Sequence, residues 1–184
     1  MPQLLKLHPD SRSCAVRHIE VETARPRSDR LVLSYVVTGT MSDILMPPAA
    51  AATRADRLWQ HTCFEAFVRT SPDTEYCEFN FAPSTQWAAY LFGGYRSGRR
   101  VADEIETPRI EVQSEHGSCT LRASLNLGGL PALAGNASWH IGLSAVIEDL
   151  SGGLSYWALA HPPGKPDFHH ADCFALEFPP AVPS

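Results

Sequence analysis

Apolar and polar residues alternate along much of this chain with a period of two, the repeat of a strand with one buried face. Leu31, Leu33, Tyr35 and Val37 fall on one side of such a segment, with Arg30, Ser34 and Thr38 opposite. Cys119, Leu121, Ala123, Leu125 and Leu127 alternate with Thr120, Arg122, Ser124 and Asn126, the clearest half-buried strand in the chain. Phe174, Leu176 and Phe178 repeat the pattern near the end, against Cys173, Ala175 and Glu177. Further strands are expected at Cys14 to Glu22, Trp59 to Arg69, Tyr76 to Phe81, Trp87 to Phe92, Ile105 to Gln113, Trp139 to Glu148 and Leu154 to His161. Turn-forming clusters separate them: Ser71-Pro72-Asp73, Pro83-Ser84, Gly93-Gly94, His116-Gly117, Gly128-Gly129 and Ser151-Gly152-Gly153.

About ten short strands punctuated in this way predict an all-β fold, an antiparallel β-sandwich. Most connections are too short for crossover helices, hence the antiparallel pairing. Helix is expected only as one or two short turns, at Pro47 to Asp56 and at Leu130 to Leu133. The Pro-rich end, Pro179 to Pro183, cannot extend a central strand. The 184 residues suit one domain spanning 1–184.

Composition narrows the function classes. With 44% hydrophobic and 19% charged residues the chain is built to fold. A net charge of −5 gives no attraction to phosphate backbones, so no nucleic-acid partner is expected. No segment has the apolar length of a membrane span, so no membrane partner is expected either. The start, MPQLLKLHPDSRS, lacks the apolar run of an export signal, and the expected location is cytoplasmic. Cys14, Cys63, Cys77, Cys119 and Cys173 are odd in number and contain no CxxC pair. They read as small buried hydrophobes rather than as a disulfide or zinc framework.

Candidate chemistry concentrates in two neighbouring strands. In LWQHTCFEAFV, Thr62, Phe64, Ala66 and Val68 point one way, and His61, Cys63, Glu65 and Phe67 the other. In YCEFNFA, Cys77, Phe79 and Phe81 form an apolar face with Glu78 and Asn80 opposite. If the two pair as a hairpin with their apolar faces inward, His61, Glu65, Glu78 and Asn80 share the outer face beside Trp59 and Trp87. Aromatic faces flanked by carboxylate, amide and guanidinium groups suit a sugar, whose ring stacks while its hydroxyls take directed hydrogen bonds. The same alternation arises in any half-solvated sheet, and tryptophan is usually buried. Trp139, beside Ile141, Leu143 and Ala145, reads as core; Trp59 and Trp87, at strand starts, are better placed to face a ligand. Arg96, in the Gly-rich segment GYRSGRR, is the arginine expected to reach a ligand, although the segment matches no phosphate loop.

The stretch HPPGKPDFHHAD holds His161, His169, His170 and Asp172, weak candidates for a metal site because their spacing matches no standard motif. Loop fixation by Asp167 or Asp172 accepting backbone N–H groups is the simpler role. No GxSxG elbow supports a serine nucleophile, and no catalytic residue is assigned. Glu65 and Glu78 are the one pair that could act as glycosidase carboxyls.

The blocks LWQHTCFEAF, EFNFAPS with WAAY, GYR, YWAL, and HP with PDFH resemble bacterial DOMON-like domain proteins, which are related to family 9 carbohydrate-binding modules. The resemblance runs from about Leu4 to Phe178. It implies a β-sandwich and, for the wider superfamily, binding of sugar or haem; the expected function is a non-catalytic domain that binds a saccharide or similar polar small molecule. Paired tryptophans flank the sugar in such modules, which adds Trp157 to Trp59 and Trp87 as candidates. No cofactor is expected. The alternatives are a haem- or metal-binding redox module, with haem held through His61, His161 or His169, and a sugar-acting enzyme; haem-binding members use a Met–His or His–His axial pair, and Met1, Met41 and Met46 fall in no clear strand.

Overall fold

A computed structural model describes residues 1–12, 15–70, 74–133 and 137–180. They form an all-β fold of twelve antiparallel strands with three single 3-10 turns. The strands are β1 (Gln3–Leu7), β2 (Val16–Arg27), β3 (Arg30–Gly39), β4 (Cys63–Thr70), β5 (Tyr76–Phe81) and β6 (Trp87–Phe92). They continue with β7 (Arg100–Val101), β8 (Arg109–Glu115), β9 (Ser118–Asn126), β10 (Trp139–Glu148), β11 (Leu154–Ala158) and β12 (Leu176–Phe178).

One sheet runs β8-β9-β3-β2-β1, the other β1-β11-β10-β4-β5-β6-β7, with β12 added to one end of β10. β1 belongs to both, pairing β2 through Gln3–Leu5 and β11 through Lys6 and Leu7. The sheet therefore curls over on itself into a sandwich. The inner faces meet in one core. From the first sheet come Ile19, Val21, Leu31, Leu33, Tyr35, Val37, Leu121 and Leu125. Phe64, Ala66, Val68, Phe79, Phe81, Leu143, Ala145 and Trp157 come from the second. The alternation of β3 and β9 falls on this core as the sequence predicts. Tyr35 crosses it, its hydroxyl donating to the Glu65 carbonyl at 2.7 Å. That bond gives a buried polar atom its partner and pins the two sheets together.

Several boundaries differ from expectation. The Trp59 to Arg69 segment opens as a 3-10 turn, Leu58–Gln60, and becomes a strand only at Cys63. Residues 47–56 form no helix: Ala55 N–H donates to the Trp87 carbonyl and Arg54 makes a parallel bridge to Trp87. Residues 131–133 form a turn. Among the described residues no helix is long and apolar enough to cross a membrane. Cys63, Cys77, Cys119 and Cys173 are buried free thiols. Cys14 and the Ser71-Pro72-Asp73 turn lie outside the described residues.

Candidate functional site

The outer face of the second sheet carries the candidate chemistry. β4 and β5 pair with Glu65 opposite Asn80 and Phe67 opposite Glu78. Residues directly opposite point the same way, so Glu65, Glu78 and Asn80 share a face. The register extends on both sides, Ala88 lying opposite Asn80, Ser144 opposite Glu65, and Ala158 opposite Ser144. This transverse row, Ala88-Asn80-Glu65-Ser144-Ala158, contains no bulky side chain. Flanking it, Phe67, Tyr76, Tyr90, Phe92, Val146 and Tyr156 form a second apolar cluster.

Unlike most outer faces of antiparallel sheets, this one is covered. The 3-10 turn brings Trp59 over it, the turn after β6 brings Arg96 and Arg99, and the segment after β11 brings Pro166, Phe168 and His169. Between cover and sheet lies a cleft of about 380 Å³ lined by these groups together with Glu65, Glu78, Phe92, Val146 and Tyr156. Gly142 on β10 helps the cover close, since a Cβ there would lie 3.1 Å from the Cys173 carbonyl oxygen. A more open hollow of about 430 Å³, lined by Tyr95, Lys165 and His170, adjoins it through Arg96 and Pro166.

Glu65 is 3% exposed, Glu78 5% and Asn80 fully buried. Asn80 Nδ2 donates to Glu78 Oε1 at 2.7 Å, and Ser144 Oγ donates to Glu65 Oε2 at 3.3 Å. Burial pushes the Glu65 carboxyl well above the usual carboxylate range, and the neighbouring Glu78 adds to the shift. Burial also raises Glu78, against the pull of Asn80, Arg99 and Arg96. The pair therefore resists carrying two negative charges.

A hydrogen-bond chain fixes the cover. The Arg96 backbone N–H donates to Tyr76 Oη at 3.2 Å, so the Tyr76 proton is directed to His169 Nδ1, 2.8 Å away. That assigns the imidazole proton to Nε2, which faces Glu78 Oε2 at 3.8 Å. Burial lowers the His169 pKa to about 4, with Arg96 contributing, so the ring is neutral near pH 7. Arg96 Nε and Nη2 both donate to Asp167 Oδ1, at 3.2 and 2.8 Å, while Tyr95 donates to Asp167 Oδ2. Partial burial opposes ionisation of Asp167, but the Tyr95 and Arg96 bonds outweigh it and hold its pKa down. Arg99 lies over Tyr90 at 4.3 Å and over Trp59 at 5.5 Å, and it pairs with Asp56 at 3.3 Å. Arg57 and Arg96 both take positive φ, 60° and 50°, at the two turns that close the cleft. Non-glycine residues hold such a conformation only where their surroundings impose it.

The structure thus brings Trp59, Glu65, Glu78 and Arg96 to one cleft, with Asn80 behind Glu78. Other sequence candidates lie elsewhere. His61 precedes β4, so strand alternation does not reach it; its side chain is 65% exposed and pairs with Glu148 at 2.7 Å. Trp87 lies opposite Phe81 on the core side of β6 and is buried beneath the Arg54 guanidinium at 4.1 Å. Trp157 is also buried in the main core, its indole N–H donating to Ser155 Oγ at 3.0 Å. Neither ring faces the cleft.

His161 is turned to the Lys6 carbonyl and His170 Nδ1 accepts from the Asp172 N–H, apart from His169. Among the described residues no group of three or more His, Cys, Asp or Glu could hold a metal ion. Met41 and Met46 pack against the main core and Met1 is exposed, which leaves the cleft without a Met–His pair. Sequence reasoning missed Tyr76, Phe92, Arg99, Tyr156, Phe168 and Asp167 as members of this site. Only Tyr76 carried a signal, since it alternates in phase with Glu78 and Asn80.

No protein-family model matches the chain, and no curated protein matches it in sequence. Solved structures do share its fold. A protein of Bacteroides uniformis, provisionally described as carbohydrate-binding, superposes with a TM-score of 0.67 at 15% identity, covering 94% of this chain and 82% of the other. A family 9 carbohydrate-binding module of Caldicellulosiruptor kristjanssonii in complex with cellotriose gives 0.54 at 8% identity, covering 89% and 74%. The family 9 module from the same organism in complex with glucose gives 0.52 at 8%, covering 84% and 72%. The chain therefore shares its all-β fold with these three structures.

Proposed function

We propose that this protein is a non-catalytic binding domain for a saccharide or a similar polar small molecule, held in the cleft between the second sheet and its cover. The observation that carries this reading is the lining. Trp59, Phe92, Tyr156 and Phe168 supply apolar ring faces, while Glu65, Glu78, Arg96 and His169 converge as hydrogen-bonding groups from separate elements. A hexose presents the same pairing of apolar ring face and directional hydroxyls. The sugars bound by the two modules of similar fold support the reading.

The carboxyls are read as ligand-binding groups, and the carbohydrate-binding modules of similar fold support a non-catalytic role.

Trp59 is the one tryptophan at the cleft; Trp87, Trp139 and Trp157 are buried. Titration with glucose or cellotriose should change tryptophan fluorescence, and Trp59→Ala should abolish the signal and weaken binding about tenfold, or ~1.4 kcal/mol. Saturable binding that survives Trp59→Ala unchanged, or turnover of a chromogenic glycoside lost in Glu65→Gln, would overturn the proposal.

A further inference from the structure

Each carboxyl in the cleft has one oxygen satisfied and one left over. Ser144 occupies Glu65 Oε2 and Asn80 occupies Glu78 Oε1. Glu65 Oε1 and Glu78 Oε2 have no hydrogen-bond partner among the described residues, although both side chains are more than nine-tenths buried and line the cleft. Glu65 faces Asn80 directly, so Glu78, two residues along β5, is its diagonal neighbour, with Cβ atoms roughly 7 Å apart.

The surrounding cations are engaged elsewhere. Arg96 is held by Asp167, and Arg99 by Asp56 and the Tyr90 ring. His169 spends Nδ1 on Tyr76, and its Nε2 stands 3.8 Å from Glu78, beyond hydrogen-bond length. Two buried acids thus lack a counter-charge in contact, beneath walls of π faces at Trp59, Phe92, Tyr156 and Phe168.

We propose that the ligand carries a primary ammonium group, as an amino sugar does, seated between Glu65 and Glu78. This rests on the saccharide reading for the rest of the ligand, but not for the ammonium itself. An ammonium has three donors, enough to reach both free oxygens, and a charge that suits the aromatic walls. A hydroxyl has one donor and no charge. A carboxylate or phosphate would meet two acids and is disfavoured. On binding, the cation lets the carboxyl pair ionise, and the displaced proton passes to solvent. Binding of an ammonium ligand therefore strengthens as pH rises through the titration of the pair, as long as the amine stays protonated. The groups facing that titration are Cys63 on β4, Ser144 on β10, Asn80 and Tyr76 on β5, Tyr90 on β6, Arg96 and Arg99 on the turn after β6, and His169 with Asp167 on the cover.

The test is calorimetric titration of the full chain with glucosamine, N-acetylglucosamine, glucose and cyclohexylammonium, in two buffers of different ionisation enthalpy. Glucosamine should bind at least ~10-fold tighter than glucose or N-acetylglucosamine, with net proton release. The preference should fall below about threefold in Glu78→Gln and Glu65→Gln, with thermal unfolding confirming that each variant folds. Glucose binding as tightly as glucosamine overturns the inference and leaves the saccharide reading standing. A preference that persists in both glutamine variants also overturns it. Cyclohexylammonium binding with no response to any sugar keeps the ammonium site and overturns the saccharide reading. Silence from all four probes overturns both.

Discussion

Glu65 sits where a β-sheet protein gains nothing in stability from a carboxylate. Its pKa is raised by burial, so above the ordinary glutamate value the folded chain holds a proton that the unfolded chain releases. Stability from this group is therefore highest below that ordinary value and falls as pH rises towards the folded pKa. Glu65→Gln keeps the shape and removes the titration. It should raise the melting temperature at pH 7–8, with the gain vanishing near pH 4; an equal effect at both would contradict the assignment. His169 acts in the opposite sense. Its pKa of about 4 against an ordinary 6.5 means that stability is full above 6.5 and is lost as pH falls towards 4. The shift corresponds to roughly 3 kcal/mol for a side chain 15% exposed. Denaturant titrations across this range should show that acid limb flattened in His169→Gln and unaltered in His170→Gln. The sequence revealed which side chains share a face, because register follows from alternation: Glu65, Glu78 and Asn80 were legible from TCFEAF and YCEFNF. It did not reveal that this face is buried, because the cover is assembled from separate segments, Trp59 before β4, Arg96 and Arg99 after β6, and Pro166, Phe168 and His169 far along the chain. Nor could period two say which face of WAAY turns inward, and Trp87 went to the core.

Element by element, propensity served least well where tertiary pairing overrode it. The PPAAAATRAD run has helical residues, yet it lies extended along β6, with Arg54 Nη2 donating to the Ala102 and Ile105 carbonyls at 2.7 Å each. His61 shows the converse error, a strand pattern read two residues past the point where the backbone turns. Glycine positions carried information that only coordinates release. Gly39 ends β3 where the chain before β2 crosses closely: Thr40 N–H donates to the Ala15 carbonyl at 2.8 Å, and a Cβ on Gly39 would stand 2.0 Å from that same oxygen. Backbone cannot yield as a flexible side chain does. Gly39→Ala should cost at least ~2 kcal/mol in urea unfolding, whereas Gly93→Ala, with nothing within 4 Å of its Cβ, should stay within about 0.5 kcal/mol. Equal effects would show that β2 and β3 do not meet at this spacing.

At the scale of the whole molecule, the strand that no sequence pattern announced has the widest reach. β1 is five residues long, yet it closes the first sheet through β2 and the second through β11, so both halves of the sandwich depend on it. Leu5 reaches the common core, and His8 N–H donates to the Tyr156 carbonyl at 2.8 Å beside the cleft wall. The His8 and His161 rings meet edge to face at 4.8 Å. Their tautomers are set by backbone: His8 Nδ1 accepts from Asp10 N–H, and His161 Nε2 donates to the Lys6 carbonyl. Leu5→Ala should therefore cost about 2–4 kcal/mol by cavity formation alone, without changing the fold. Removing residues 1–7 is a different kind of change, because it bares the edges of β2 and β11 together and leaves two sheets with no shared strand. Scanning calorimetry of the shortened chain should show the unfolding transition broadened or lost, with a tendency to self-associate. A sharp transition within a few degrees of the full chain would mean that the core alone joins the sheets and that β1 is an accessory.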